Sequence, residues 1–257
     1  MPDWIKAYEE AFSTPFNVFL LLMMFIMLLF WWSAHLWQTP ERVQQRAKFF
    51  SPKPTQILQK LRTNHLTLGK YLDFICIHIW LWVFAVTIVL EVYICGLQGK
   101  EAWRYGVMTL LAWGISMLIQ FLYPVIVPNR WDQFGRDLPI VPIRLIKFPQ
   151  SDNVNGLLYN GLPSNHFGMM LAGILLSLFF YADDRFYGPG FSGWLILAGF
   201  FLLLGISFIF ATIYLGEHYL IDFVASFLVY VPIMVGTKLI LDVLVPLSPP
   251  SIFNSIW

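Results

Sequence analysis

The chain of 257 residues is 58% hydrophobic and 12% charged, whereas a soluble globular domain carries about 25% charged residues. Its formal net charge is +1, and its basic residues form no stripe with interleaved aromatics, which argues against nucleic acid as a partner. The composition excludes an ordinary water-soluble domain and implies a membrane environment.

The chain opens Met1-Pro2-Asp3-Trp4-Ile5-Lys6 with Glu9 and Glu10 close behind. This is neither the cationic start nor the small-residue cleavage site of a secretory signal, so the first apolar segment is expected to persist in the mature protein. A hydrocarbon core about 30 Å thick needs about 20 mostly apolar helical residues. Six stretches qualify: Phe16–Trp37, Tyr71–Leu97, Arg104–Val127, Leu162–Tyr181, Phe191–Leu215 and Tyr219–Val245. The expected fold is therefore all-α, an integral membrane bundle of six transmembrane helices forming a single domain over residues 1–257. Trp31, Trp32, Trp37, Trp103 and Tyr105 fall near span ends, where aromatic side chains anchor at the interface.

Cys76 and Cys95 share the second span, where a rise of about 1.5 Å per residue holds them about 30 Å apart, too far for a disulfide. His78 in that span reads as a packing residue and Glu91 as a residue near the membrane surface. Two connections are long, 38–70 and 128–161, the second broken by Pro128, Pro139, Pro142 and Pro149. Gly188-Pro189-Gly190 separates the fourth and fifth spans, while Gly216 and Glu217 nearly suffice to join the fifth and sixth. Near the end of the last span Lys238 and Asp242, four apart, can pair.

The long loops on one side hold seven and four lysines and arginines, against Lys6, Lys100, Arg104 and Arg185 on the other. The positive-inside rule assigns both long loops to the cytoplasm, which means the inner cell membrane if the source is prokaryotic.

The residues able to do chemistry lie at span edges. In Leu215-Gly-Glu-His-Tyr-Leu-Ile-Asp222, His218 and Asp222 are four apart, a spacing that stacks them on one helix face within hydrogen-bonding reach. A carboxylate that accepts from one imidazole nitrogen fixes the tautomer and leaves the other nitrogen as a nucleophile. The ordinary alternative is a helix-end hydrogen bond without catalytic purpose. A second element, Leu162-Pro-Ser-Asn-His166, precedes an apolar helix with Ser164 or Asn165 as its N-cap, and the start of a helix favours a phosphate. The number of crossings puts His166 and His218 at one membrane face, where two histidines and an aspartate can converge on one phosphorus. These are the only clustered ligand types and each has a metal-free role, so neither a metal nor another cofactor is called for.

Pro163-Ser164-Asn165-His166 resembles the Pro-Ser-Gly-His motif of the type 2 phosphatidic acid phosphatase superfamily, and His218 with Asp222 resembles the His-x-x-x-Asp end of its third motif. Tyr123-Pro124 through Pro128 is similar to the Tyr-Pro-x-x-Pro stretch of the inositol phosphorylceramide synthase branch. The resemblance covers about 105–240, the expected catalytic core. It implies that His218 attacks phosphorus to form a phosphohistidine, that Asp222 orients it and that His166 protonates the departing oxygen.

The chain also departs from the phosphatase pattern. Thr212 stands six before His218, where the family usually has arginine, and the Lys-x6-Arg-Pro motif is absent. A phosphomonoester carries close to two negative charges and a diester one, so fewer fixed cations suit an intact phospholipid headgroup. Arg130 and Arg136, with Ser164 and Asn165, are the candidates for holding the phosphate; the two arginines equally suit interfacial anchors paired with Asp132 and Asp137.

The leading expectation is a lipid phosphotransferase that moves a phospho-headgroup between lipids, the inositolphosphotransferase branch being one that the chain resembles. A lipid phosphate phosphatase, with water as acceptor, uses the same residues. A transporter or structural membrane protein is the third reading, and it requires His218 and Asp222 deep in the membrane, whereas the charge-free stretch Phe223–Thr237 puts them at a span's edge. The partners implied are a phospholipid or lipid phosphate substrate and the surrounding membrane lipids. Family members usually present this site to the outside or lumen, opposite to the basic-residue count, and the sequence leaves the face, the donor, the acceptor and the oligomeric state open.

Overall fold

The computed structural model describes residues 53–72, 102–123, 162–187 and 193–244, with isolated positions elsewhere. The elements are helices: α1 (Lys53–Asn64), α2 (Ala102–Leu122), α3 (Asn165–Tyr187), α4 (Gly193–Leu215) and α5 (Leu220–Leu244). Residues 66–72 add a short helix after α1. α2 to α5 are long and apolar enough to cross a membrane, and they correspond to the third through sixth expected spans. The all-α membrane class therefore holds. The span Phe16–Trp37 and most of Tyr71–Leu97 lie outside the described residues, as do Cys76, His78, Glu91, Cys95 and the loop with Arg130 and Arg136.

The helix ends follow local chemistry. α2 stops at Leu122, five residues before the expected Val127, because Pro124 disfavours helical backbone in the residue that precedes it. α4 closes in a Schellman turn: Gly216 adopts φ 70, Glu217 N–H donates to the Thr212 carbonyl at 2.8 Å and Gly216 N–H to that of Ile213 at 3.1 Å. α3 runs six residues past the expected end at Tyr181. Asp183 in that extension is partnered by Tyr105 and Lys238, which removes a reason to stop.

That partnering is a polar clamp at the end of the bundle opposite His166 and His218. Lys238 Nζ on α5 donates to Asp183 Oδ1 of α3 at 2.9 Å and to Asp242 at 3.0 Å, as the four-residue spacing suggested. Tyr105 on α2 donates its hydroxyl to Asp183 at 3.0 Å. Arg104, which is buried, donates to the Leu241 carbonyl at 2.8 Å and stands 3.6 Å from Asp242. Two cations and two carboxylates thus join three spans where lipid cannot solvate them. Asp183→Ala is expected to lower stability by about 3 kcal/mol by leaving Lys238 half-buried without its principal carboxylate. The check is thermal unfolding in detergent, in which Asp183→Ala combined with Lys238→Met recovers most of the loss.

α3 is the central strut, packed against α2, α4 and α5. Its Leu171, Ala172, Leu176 and Phe180 meet Tyr105, Met108 and Ala112 of α2 and Tyr230 and Met234 of α5. The half of α3 that begins at Asn165 relies on glycine for close approach. A Cβ on Gly168 would stand 2.1 Å from the Tyr230 ring, and one on Gly173 would stand 2.9 Å from Phe201. Gly168→Ala is therefore expected to destabilise the protein by about 1–3 kcal/mol through overpacking. Unfolding measurements on Gly168→Ala with and without Tyr230→Leu test this, the second change restoring room. Outward-facing Ile196, Leu203, Leu228 and Val243 of α4 and α5 remain exposed within the protein, as expected of side chains that face lipid.

Candidate active site

α2 and α4 end, and α3 and α5 begin, at one membrane face, and the site is built from those four termini. Ser164 is the N-cap of α3: its Oγ accepts from Phe167 N–H at 3.4 Å and its carbonyl accepts from Gly168 N–H at 2.9 Å. His166 follows within the first turn. His218 lies not on α5 but in the turn between Gly216 and the first residue of that helix.

Although the two residues do not share a helix, the His218–Asp222 contact forms. Asp222 is the third residue of α5 and its Oδ2 accepts from Tyr219 N–H at 2.9 Å, the carboxylate half of a capping box, which draws the turn back over the helix end. The same Oδ2 accepts from His218 Nδ1–H at 3.0 Å. With the proton on Nδ1, Nε2 carries a lone pair, and the Ser164 hydroxyl donates to it at 3.2 Å. One carboxylate thereby both caps α5 and sets the histidine tautomer. Asp222 is fully buried and His218 nearly so.

The start of α3, with Ser164 and His166, is tied down by two helices, α5 and α2. Ser164 N–H donates to the Asp222 carbonyl at 3.2 Å. Ser226 Oγ lies 2.9 Å from the Ser164 carbonyl and 2.8 Å from that of Asp222, so α5 grips the start of α3 one turn beyond the carboxylate. On the α2 side, Ser116 donates its hydroxyl to Asn165 Oδ1. Gln120 accepts from Asn165 Nδ2 at 2.9 Å and donates to the Pro163 carbonyl at 2.5 Å. All of these polar side chains are buried, so each bond is made in a medium where an unmade one is costly.

Phe208 of α4 brings the two histidines into one neighbourhood, with its ring centroid 5.9 Å from that of His166 and 6.0 Å from that of His218. Phe223 meets His218 edge-on at 5.5 Å. Thr212, at the position where arginine is customary, is buried and donates its hydroxyl to the Phe208 carbonyl at 2.7 Å, so it presents no cation. Among the described residues no group of three or more His, Cys, Asp or Glu is arranged to hold a metal.

His166, Ser164, Asn165, His218 and Asp222 are thus brought together, while Arg130 and Arg136 lie outside the described residues. Sequence reading missed Ser116, Gln120 and Ser226. A signal existed: Ser116 and Gln120 are four apart inside an apolar span, and Ser226 continues the four-residue spacing of His218 and Asp222.

No significant match to a curated protein or to a solved structure is found. Residues 101–240 match the family model described as the PAP2 superfamily, whose members are generally phosphatases or phosphotransferases. The match spans more than half of the chain and contains every residue of the site just described, and this membrane protein belongs to the PAP2 superfamily.

Proposed function

We propose that the protein transfers a phospho-headgroup from a phospholipid to the hydroxyl of a second lipid through a covalent intermediate on His218. The observation that carries the covalent step is the buried relay from Asp222 Oδ2 through His218 to Ser164, which keeps the proton on Nδ1 and the lone pair on Nε2. In the first half-reaction, Nε2 forms a bond to phosphorus, the bond from phosphorus to the donor lipid's oxygen breaks, and His166 gives that oxygen a proton. In the second, the acceptor hydroxyl surrenders its proton to His166, its oxygen bonds phosphorus, and the phosphorus–Nε2 bond breaks. The Asp222 carboxylate offsets the positive charge that develops on the ring. The Ser164 hydroxyl, released from Nε2, turns to a phosphoryl oxygen, and the dipole of α3 adds to the attraction.

Transfer rather than hydrolysis is supported by Thr212. A buried hydroxyl satisfied within its own helix stands in place of a guanidinium, which suits a diester with one negative charge better than a monoester with two. An inositol-bearing headgroup and a sphingolipid-like or diacylglycerol acceptor are the first pair to supply, on the strength of the Tyr123-Pro124 resemblance. Headgroup-labelled phospholipid given to the purified protein in nanodiscs, with and without a lipid alcohol, separates the readings. Label appearing on the acceptor lipid, with little released to water, is the expected result. Phospho-headgroup released to water equally in both samples would establish hydrolysis and overturn transfer, and free phosphate released from a lipid phosphomonoester in place of the diester would establish a phosphatase.

A further inference from the structure

The segment 53–72 carries chemistry that the catalytic reading does not use. α1 has 12 residues, too few to cross a core that needs about 20, so it lies along the membrane surface. Two contacts fix its depth. Gln59 Nε2 donates to the Tyr214 carbonyl, in the last turn of α4, at 2.5 Å, and Leu58 packs on the cluster of Ala211, Tyr214 and Leu215. The helix 66–72 then descends the same span, with Leu72 buried in that cluster and the Tyr71 hydroxyl 3.3 Å from Ser207 Oγ. Ser207 precedes the end of α4 by about 12 Å at a rise of roughly 1.5 Å per residue. The segment therefore passes from headgroup level into hydrocarbon, at the face that holds His218.

Its outward side has a defined pattern. Thr55 and Gln59, four apart, are buried toward the protein. Lys53, Ile57 and Lys60, at helical spacings of four and three, form the opposite stripe and are exposed, Ile57 by 62%. Leu66 and Leu68 beyond it are exposed by 57% and 41%. An apolar side chain between two lysines suits a headgroup boundary, where aliphatic stems lie in the acyl region and ammonium groups reach up to phosphate. Charge points the same way: between Glu41 and Asp73 the chain has seven basic residues and no acidic one, and such a segment is drawn to an anionic leaflet.

We infer that Lys53, Ile57, Lys60, Leu66 and Leu68 form a docking face for an anionic phospholipid surface at the rim of the catalytic site. Ile57, Leu66 and Leu68 enter the acyl boundary and the two lysines hold headgroup phosphates. Through Gln59 the other side of the same helix is fastened to the α4 end that leads to His218, so the docked surface and the site lie at one level. The face is independent of which acceptor the reaction uses.

A nitroxide attached at Ile57→Cys, in a full chain with Cys76→Ala and Cys95→Ala, reports the environment of the stripe. The chain is placed in nanodiscs of phosphatidylcholine alone or mixed with phosphatidylglycerol, and collision rates with oxygen and with an aqueous nickel chelate are compared. The oxygen-to-nickel ratio is expected to rise several-fold with phosphatidylglycerol, and Lys53→Gln with Lys60→Gln is expected to abolish the rise. High nickel accessibility in both lipids would overturn the inference, as would spin–spin broadening from a second copy on the same face. Should the cysteine replacements impair folding, native mass spectrometry of the otherwise unaltered chain gives the same decision. Lys53→Gln with Lys60→Gln must lower the number of retained phosphatidylglycerol molecules, and unchanged retention would refute the docking face.

Discussion

Replacing His218 with glutamine is expected to reduce turnover by about 10⁴-fold or more, since the Nε2 lone pair that bonds phosphorus is lost. The substitution keeps a polar side chain of similar length in the turn between α4 and α5, where Gly216 and the Asp222 cap determine the backbone. Thermal unfolding is therefore expected to shift by only a few degrees, about 1 kcal/mol. Loss of activity with retention of fold separates chemistry from structure. A role limited to a helix-end hydrogen bond would give the reverse, with stability reduced and turnover persisting in the folded fraction. The measurement is single-turnover headgroup release in detergent, normalised to folded protein.

The second large effect is that of charge alone at Asp222. Asparagine can place its carbonyl oxygen where Oδ2 stands and still accept from both His218 Nδ1–H and Tyr219 N–H. The capping interaction and the tautomer are then kept, while the negative charge that offsets the developing imidazolium is lost. Asp222→Asn is expected to lower kcat by about 10²–10⁴-fold, the range seen when preorganised electrostatic support or a triad carboxylate is removed from other enzymes. KM is expected to change little, because the carboxylate faces the histidine and not the lipid. Asp222→Ala removes the cap as well and is expected to lower both activity and stability. Pre-steady-state kinetics on the two variants, beside their unfolding curves, distinguish the electrostatic role from the architectural one.

Much of the fold was legible because the bilayer imposes a length: windows of about 20 apolar residues identified the spans that became α2 to α5. The helix ends were less legible, since they depend on contacts rather than on hydropathy. α3 continues through Asp183 because Lys238 and Tyr105, far away in sequence, meet it. The pairing of Lys238 with Asp242 was readable from their spacing alone, whereas the burial of Arg104 against Leu241 was not.

The site divides in the same way. His218 and Asp222 are separated by four residues, and local spacing sufficed to suggest their contact, although a capped turn rather than a continuous helix produces it. Asn165, glycine in the family motif that it resembles, reads in sequence as a candidate N-cap of the helix and as a candidate for holding the phosphate. In the structure its amide is the joint between Ser116 and Gln120 of α2 and the start of α3, where Ser164 and His166 stand. The four-residue spacing of Ser116 and Gln120 marks a polar patch in an apolar span, but it does not name Asn165, 49 and 45 residues away, as the partner. Thr212 shows the converse: its identity signalled a missing cation, and only the geometry showed the hydroxyl turned back into its own helix.

The covalent intermediate is the centre of this account, and trapping it is the most direct test. A donor whose headgroup phosphate is esterified to nitrophenol needs no proton to release its leaving group, so His166→Ala spares formation of the adduct but slows transfer to the acceptor hydroxyl. Rapid mixing of that variant with the donor, followed by digestion at alkaline pH and mass spectrometry, is predicted to find the phospho-headgroup on the peptide that contains His218, and to find none when His218→Gln is added. An unmodified His218 peptide during continuing nitrophenol release, or release that survives His218→Gln, would contradict covalent transfer through this histidine.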